Sequence, residues 1–528
     1  MKEIILSISA LFLFFSPVAF AQNNVSEDVD KIQLFLKALD ERYVDSVETD
    51  DLVEKAMKRM LEELDPHSVY LTPEGYRKAN EPLKGSFVGI GIRYRMVDDT
   101  LTIVEVFDDS PAQRASLMVG DQLVRIEGDT VAGVEMHESK ITDRIKGEAN
   151  TDLRLAVFRP VENQHLVITM QRGQVRMKSI EVAHMMTDEV GYIKLDRFSS
   201  TSYNEFKKAL AHLSSEGMDD LVLDLRGNSG GYLNIAIKIA DEFLDNRKVI
   251  VYTEGLHQSK KELFATSGGR FLNGKLIVLM DENSASASEI LAGAIQDWDR
   301  GLIIGRRSYG KGLVQRTVEF KDGSAMRLTV SRYYTPTGRS IQKPYEDGVD
   351  AYRDDLQDRL EHGELYSKDS MLVDDERVFY TPAHRAVYGG GGIIPDIFIP
   401  LDTNGGSDYF NGVASKGLIE GFAIRYVEAH HSKLHKEYTS QKKFADRFEV
   451  EDEMMDAFTA YAEQRGEPLD QEQFDISKTR LEQYLKSYIA RFTFDMDAFY
   501  LSYGNYDPYI RTALSEFENN TFEELGLK

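Results

Sequence analysis

The sequence predicts a multidomain α/β protein, and three observations carry that prediction. Its 528 residues exceed what one hydrophobic core organises. Buried-type apolar runs at 221–225, 276–280 and 302–305 alternate with segments of helical spacing at 232–243 and 286–298, the pattern of β-α units. Residues 85–170 instead read as short strands and turns, and both ends of the chain read as helical.

Composition narrows the chemistry. Hydrophobic residues at 42% and charged residues at 29% fit folded domains rather than disorder. Lys and Arg number 63 against 88 Asp and Glu, a net charge of −25, and no basic patch stands out, which argues against nucleic acid as a partner. The absence of cysteine excludes disulfides, thiolate metal sites and a cysteine nucleophile together. Catalysis, if present, runs on Ser, Thr, Lys, His or carboxylates.

The chain opens with Met1-Lys2-Glu3, an apolar run over 4–15, and Ala19-Phe20-Ala21 before the polar Gln22. The run is too short to span a bilayer, and the alanines have cleavage-site spacing, so residues 1–21 are expected to be a signal peptide. An uncleaved anchor helix is the alternative. Gln22 in place of Cys implies no lipid attachment. The expected location is therefore outside the cytoplasm, periplasmic or extracellular, with a soluble chain after cleavage.

Residues 22–84 form an expected helical region: Ile32, Phe35, Leu36 and Leu39 fall on one helical face, and Asp65-Pro66-His67-Ser68 breaks a second helix. Strands are expected at 88–97 and 101–107 around an Asp98-Asp99 turn, at 122–126, 153–158 and 165–170, making 85–170 a β domain. An α/β core is expected over 171–402, with an acidic, irregular insertion at 343–390. A helical domain rich in Tyr and Phe is expected over 403–528.

Three motifs compete for the chemistry. Gly227-Asn228-Ser229-Gly230-Gly231 matches G-x-S-x-G between a strand and a helix, which would make Ser229 a hydrolase nucleophile. It reads equally as a glycine turn, or as a nest of N–H groups for an oxyanion. Gly305 to Lys311 has phosphate-loop spacing, but Gly312 stands where Ser or Thr should bind Mg²⁺ and an apolar, β-branched run follows, so that reading is rejected. Ser284-Ala285-Ser286-Ala287-Ser288-Glu289 opens a helix after a buried strand. Ser286 with Glu289 fits a capping box, yet its hydroxyl would also sit at the positive end of the helix dipole.

Taken in order, these segments resemble the carboxy-terminal processing peptidases, or tail-specific proteases. The resemblance runs from about Asp65 to Asp396 and is carried by Asp65-Pro66-His67-Ser68, Gly89-Ile90-Gly91-Ile92, Ser110-Pro111-Ala112 with Gly120-Asp121, and Asp224-Leu225-Arg226-Gly227-Asn228. It continues through Ser284 to Glu289, Gln296-Asp297, Gly310-Lys311-Gly312 with Gln315, and Gly392-Ile393-Ile394-Pro395-Asp396. It implies a ClpP/crotonase-like peptidase core with an inserted PDZ domain at 85–170, a small β-barrel with helices. It implies Ser286 as nucleophile, Lys311 as base, Gln315 supporting the lysine, and an oxyanion hole from Ala287 N–H with Gly230 or, next, Gly231. Gly89, Ile90, Gly91 and Ile92 resemble a carboxylate-binding loop whose N–H groups hold a peptide's C-terminus while the adjoining strand pairs with it.

A lysine base makes a physical demand. With an ordinary pKa of ~10.4, about one Lys in a few thousand is neutral at pH 7, and correcting that takes about 4 kcal/mol of selective destabilisation of the ammonium. Gln315 can orient the amine without stabilising its charge. For the two side chains to meet, residues 311–315 are expected to form a helical turn, because a strand separates i and i+4 by ~13 Å. Asp297 is expected to serve a structural salt bridge or cap, Trp298 the core, and the Tyr-rich end of the chain a core and subunit interface. His430, His431 and His435 lack the Glu of H-E-x-x-H, so no metal and no cofactor is expected.

The sequence thus reads as an exported serine endopeptidase acting on unfolded or C-terminally tagged proteins, membrane-proximal ones included, and assembling as a homo-oligomer. Two rivals remain. One is a non-catalytic PDZ-containing peptide-binding scaffold, and the other is an esterase using Ser229.

Overall fold

The computed structural model describes residues 25–527 except 98, 374, 375 and 404. The expected signal peptide lies outside the described residues, as does Asp98 of the expected turn. The chain divides after Glu63 into two units. In the first, the helices Val25–Arg42 and Thr49–Glu62 follow the expected periodicity. The helical region expected to reach 84 is therefore split. Asp65-Pro66-His67-Ser68 belongs to the second unit, where Val69–Leu71 pairs with the strand Ala325–Tyr334.

A six-stranded sheet organises the second unit, in the order Ile180–Met185, Val190–Leu195, Asp220–Asp224, Leu276–Met280, Leu302–Gly305, Ile397–Phe398. The first pair is antiparallel and the rest parallel. Parallel strands need cover on both faces, which is why Leu276–Met280 is apolar without alternation and fully buried. Leu221, Leu223, Leu276 and Val278 face one layer, with Phe206, Ile239, Ile290 and Leu291 from the helices Ser202–Ser215, Leu233–Ala240 and Ala287–Asp297. Val222, Ile277, Leu279 and Ile304 face the other, against Tyr509, Ile510 and Phe517. Each such side chain, fully buried, contributes about 1.5–3 kcal/mol.

That second layer corrects the boundary expected at 403. The helices Asp408–Ser415 through Met496–Gly504 share an aromatic-rich core of their own, containing Phe422, Phe458, Leu481 and Leu485. The last two, Pro508–Glu518 and Thr521–Glu524, instead cover the central sheet. Beside the sheet lies an antiparallel layer of Val69–Leu71, Ala325–Tyr334, Val249–Gly255 and Gln258–Phe264, with Leu313–Glu319 also on Ala325–Tyr334.

The β domain hangs from a two-stranded stem in which Ser86–Gly89 pairs with Gly173–Arg176, the chain's way in and out. Its sheet runs Ile92–Val97, Thr100–Val106, Gln122–Ile126, Asp152–Arg159, Gln164–Gln171 around its own apolar core.

Residues 343–390 are not irregular, contrary to expectation. They form the helix Val349–Glu361 and a hairpin of Val378–Tyr380 with Ala386–Tyr388. The inward positions of that helix are Tyr352 and Arg359, so its buried face carries no hydrophobic stripe to read.

Asp297 fills the expected structural role. Its carboxylate meets Arg339 at 2.7 Å with both side chains fully buried, and Thr337 Oγ1 donates to it at 2.7 Å. Removing one partner of such a pair strands the other charge, so Arg339→Met is expected to cost about 3–5 kcal/mol in urea denaturation. A loss below about 1 kcal/mol would contradict that account. Trp298 packs against the core and donates from Nε1 to Val249 O at 2.7 Å. His430 stacks on Tyr426, and His431 lies beside His435.

Candidate active site

The strand Leu276–Met280 ends in a turn built by Asp281, whose Oδ1 accepts the N–H groups of Asn283, Ser284 and Gly227 at 3.0–3.1 Å. Two of the following serines are then spent on backbone. Ser284 Oγ donates to Leu225 O and Ser288 Oγ to Asn228 O, each at 2.8 Å. They stitch this turn to the glycine turn 227–231. The middle serine, Ser286, is partly exposed, and its hydroxyl donates to no acceptor among the described residues. Its φ of 54° is left-handed, a conformation costing about 1–3 kcal/mol that persists only where surroundings impose it.

Ser229, the literal G-x-S-x-G match, is exposed and lacks that backbone geometry. Its neighbours matter more. A Cβ on Gly230 would lie 2.8 Å from Ala285 O and 2.9 Å from Ser286 Cβ, so only glycine allows this approach. Gly230 N–H donates to Asn228 Oδ1 at 2.9 Å. Gly231 N–H and Ala287 N–H have no partner among the described residues, and Ala287 opens the helix, where N–H groups lack intrahelical acceptors.

The lysine side is brought in by two buried residues whose part the sequence reading missed. Glu289, fully buried, accepts Ser286 N–H at 2.7 Å and Lys311 N–H at 3.0 Å on one oxygen. Its other oxygen takes Gly310 N–H at 2.7 Å and Ser308 Oγ at 2.6 Å. Burial pushes its carboxyl up to about 7, against the pull of these hydrogen bonds. Tyr333 repeats the link, its hydroxyl donating to Lys311 O at 2.5 Å and lying 3.2 Å from Ser286 O. Only the cap half of Glu289's role was signalled, by S-x-x-E spacing.

Lys311 Nζ donates to Gln315 Oε1 at 3.2 Å, the expected pairing by a different route. Residues 313–319 are a strand, not a helical turn, and a register shift between Val314 and Gln315 re-aims the side chain. Gln315 Nε2 in turn donates to His67 O. Burial, helped by the Arg327 charge, holds the Lys311 ammonium below the ordinary lysine range, with Glu289 and Asp65 opposing. Ser286 and Lys311 are not hydrogen-bonded to each other in this state. No phosphate-loop helix follows Gly312, consistent with its rejection.

His67 ties the site to the insertion. Asp65 fixes its backbone by accepting His67 N–H at 2.8 Å and Ser68 Oγ at 2.6 Å. Its Nε2 meets the Tyr352 hydroxyl at 2.8 Å, and burial with the nearby Lys311 charge lowers its pKa to about 4. Arg359 Nη2, from the same helix as Tyr352, donates to Arg307 O at 2.7 Å, and Glu364 holds both Arg307 and Arg359. The insertion thus grips the loop that carries Lys311.

In the β domain, Ile90 O accepts Ala112 N–H at 2.8 Å and Gly91 O accepts Phe107 N–H at 3.0 Å. A trans peptide points its N–H opposite its C=O, so Gly91 and Ile92 aim N–H groups away from those partners. The Ile90 side chain is buried in the domain core.

Set beside known proteins, the chain is a serine-type peptidase. A peptidase family S41 model matches residues 189–351, a PDZ domain model 88–170, and the N-terminal domain of the activating protease CtpB 17–75. A family of unknown function matches 409–495. The carboxy-terminal-processing protease of Bartonella bacilliformis is 34% identical over 353 residues, covering 65% of this chain and 80% of that protein. A "Probable CtpA-like serine protease" of Staphylococcus aureus is 33% identical over 318 residues, covering 60% of this chain and 62% of its own length. Among solved structures, the photosystem II D1 C-terminal processing protease aligns with a TM-score of 0.37 at 23% identity, covering 71% of this chain and 93% of that one. The chain belongs to the carboxy-terminal-processing proteases of peptidase family S41.

Proposed function

We propose that the protein is an exported endopeptidase that binds a substrate's C-terminal tail at Gly89–Ile92 and cuts with Ser286 as nucleophile and Lys311 as base. The observation that carries this is the single Glu289 oxygen shared by Ser286 N–H and Lys311 N–H, which fixes nucleophile and base backbones as neighbours. Neutral Lys311 takes the Ser286 proton as Oγ attacks the scissile carbonyl, forming the C–O bond, and returns it to the amine as the C–N bond breaks. Water then releases the acyl group by the same proton route in reverse. Gln315 keeps the amine aimed. Ala287 N–H and Gly231 N–H are the free donors for the oxyanion, each worth about 2.7–4 kcal/mol to the transition state. Gly230, the donor first expected, has its N–H occupied by Asn228.

The substrates this reading favours are unfolded or tagged proteins, membrane-proximal ones included. Export rests on the sequence of residues 1–21. Self-association extends the reading: the helix Val25–Arg42 buries none of its residues and exposes Val29, Ile32 and Phe35, a stripe suited to a second copy. Light scattering of the mature chain against Phe35→Glu tests that point.

Incubation with unfolded casein tests the site. Ser286→Ala is expected to stop cleavage while tail-peptide binding persists, and Ser229→Ala to leave cleavage intact. The opposite pattern would install the Ser229 esterase reading. Casein left uncut by the unmodified protein, with tail binding intact, would install the scaffold.

A further inference from the structure

The Ile92–Val97 strand closes one side of its sheet, and its outer edge pairs with no strand among the described residues. Its side chains Ile92, Tyr94 and Met96 turn toward the domain core, and the Tyr94 hydroxyl reaches Thr142 on the helix Glu138–Ile145. Strand edge and helix are therefore the two banks of a groove that starts at the Gly89–Ile92 loop. At the other end of the strand the groove runs into the C-terminal helical region. A cavity of about 430 Å³ opens there between Arg95, Met96 and Glu138 on one side and Phe410, Tyr484 and Tyr488 on the other.

The wall is fixed in place. Arg95 meets Glu420 at 2.9 Å, and Glu420 also receives Arg491 at 2.9 Å. Lys416, also lining the cavity, pairs with Glu467 at 2.8 Å. These pairings use up the cations, and Glu138 is left at the exposed rim. Beside these polar groups the cavity offers a guest ring surface: Tyr484 lies 5.6 Å from Phe410 and 6.5 Å from Tyr488, centroid to centroid.

An extended chain advances ~3.3 Å per residue, so a tail whose carboxylate sits at the loop and whose backbone follows Ile92 to Met96 brings a residue about four to six from its end to this cavity. We propose that the cavity is a second recognition site for the same substrate tail, shared by the PDZ and C-terminal domains, and that it takes an aromatic side chain four to six residues before the substrate's C-terminus. This rests on the tail-capture reading above.

Fluorescence anisotropy with the intact Ser286→Ala chain separates the two ideas. The probes are a labelled C-terminal tetrapeptide and nonapeptides ending in the same four residues, with Trp, Ala or Asp placed in turn four, five and six from the end. The best Trp nonapeptide is expected to bind at least about 10-fold tighter than its Ala and Asp counterparts and the tetrapeptide. Tyr488→Ala should erase that gain and leave tetrapeptide affinity within about 2-fold. Ala414→Trp, which fills the cavity without removing a ring, should do the same. A Trp nonapeptide no tighter than the others, or a gain that survives both variants, overturns the second site while tail capture stands. Failure of every peptide to bind overturns both.

Discussion

Ser286→Ala, Lys311→Met and the double variant are expected to lose cleavage by one common factor, on the order of 10⁴–10⁶ in kcat, rather than by a product of two. The reason is the geometry of one shared proton. Without the amine, the Ser286 hydroxyl has no base, since it donates to no acceptor among the described residues and its neighbours Ser284 and Ser288 are committed to carbonyls. Without the hydroxyl, the amine has nothing to deprotonate. Single-turnover cleavage of one peptide by all four proteins reads the factor, and a double variant far below either single one would show independent contributions. On the proposed mechanism the reaction of the unmodified protein also has a pH signature. Lys311 must be neutral, and burial holds its pKa below the ordinary lysine range, so kcat rises with pH through that lowered value and flattens earlier than a solvent-exposed lysine would allow. Tail-peptide affinity should not follow this profile, because the tail site proposed at Gly89–Ile92 uses backbone N–H groups, which do not titrate.

The residues proposed to act on the substrate carry local signals in the sequence: a serine opening a helix after a buried strand, and a lysine between glycines. What supports them does not. Glu289 looks like half a cap because only Ser286 N–H is local, and its other three donors belong to Ser308, Gly310 and Lys311, which only folding brings near. Tyr333 gives no local signal at all. The Lys311–Gln315 contact was foreseen, yet its cause was misread: a bulge is an interruption of pairing with another strand and leaves no periodicity of its own. The helix Val349–Glu361 hid behind its acidic composition because its buried face is polar, Tyr352 and Arg359 being held by hydrogen bonds rather than by apolar packing. The sheet strands followed the sequence closely, since a parallel sheet covered on both faces requires unbroken apolar runs such as Leu276–Met280. The boundary at 403 failed for the opposite reason: Tyr509, Ile510 and Phe517 look like any helical core residues, and only the fold says which core they join.

Glu289→Gln is expected to lower kcat by about 10²–10³ while leaving tail-peptide binding unchanged. The substitution keeps shape and removes only acceptor capacity. Each Glu289 oxygen faces two donors, so the new amide nitrogen must oppose either Ser286 N–H with Lys311 N–H or Gly310 N–H with Ser308 Oγ. Ser308 can turn its hydroxyl, but a backbone N–H cannot turn. At least one buried donor is then unpaired at a cost of about 1–3 kcal/mol, and the Lys311 loop relaxes away from Ser286. A merely structural carboxylate would give the same loss at every pH. A carboxylate pushed up to about 7 would not. Lys311 charges as pH falls through its own lowered value, and Glu289 adds a second proton as pH falls through about 7, so log kcat steepens toward two protons. The Gln variant retains only the lysine and should show a slope of one. Stability runs the other way. The folded-state pKa is raised above the ordinary 4.5, so the folded form holds the proton more tightly, and the Glu289 contribution to stability is fully present below 4.5 and is lost as pH rises through about 7. That decline should vanish in Glu289→Gln, measured by urea midpoints across the same range. Equal slopes in the two proteins would mean that Glu289 holds the loop without sensing protons.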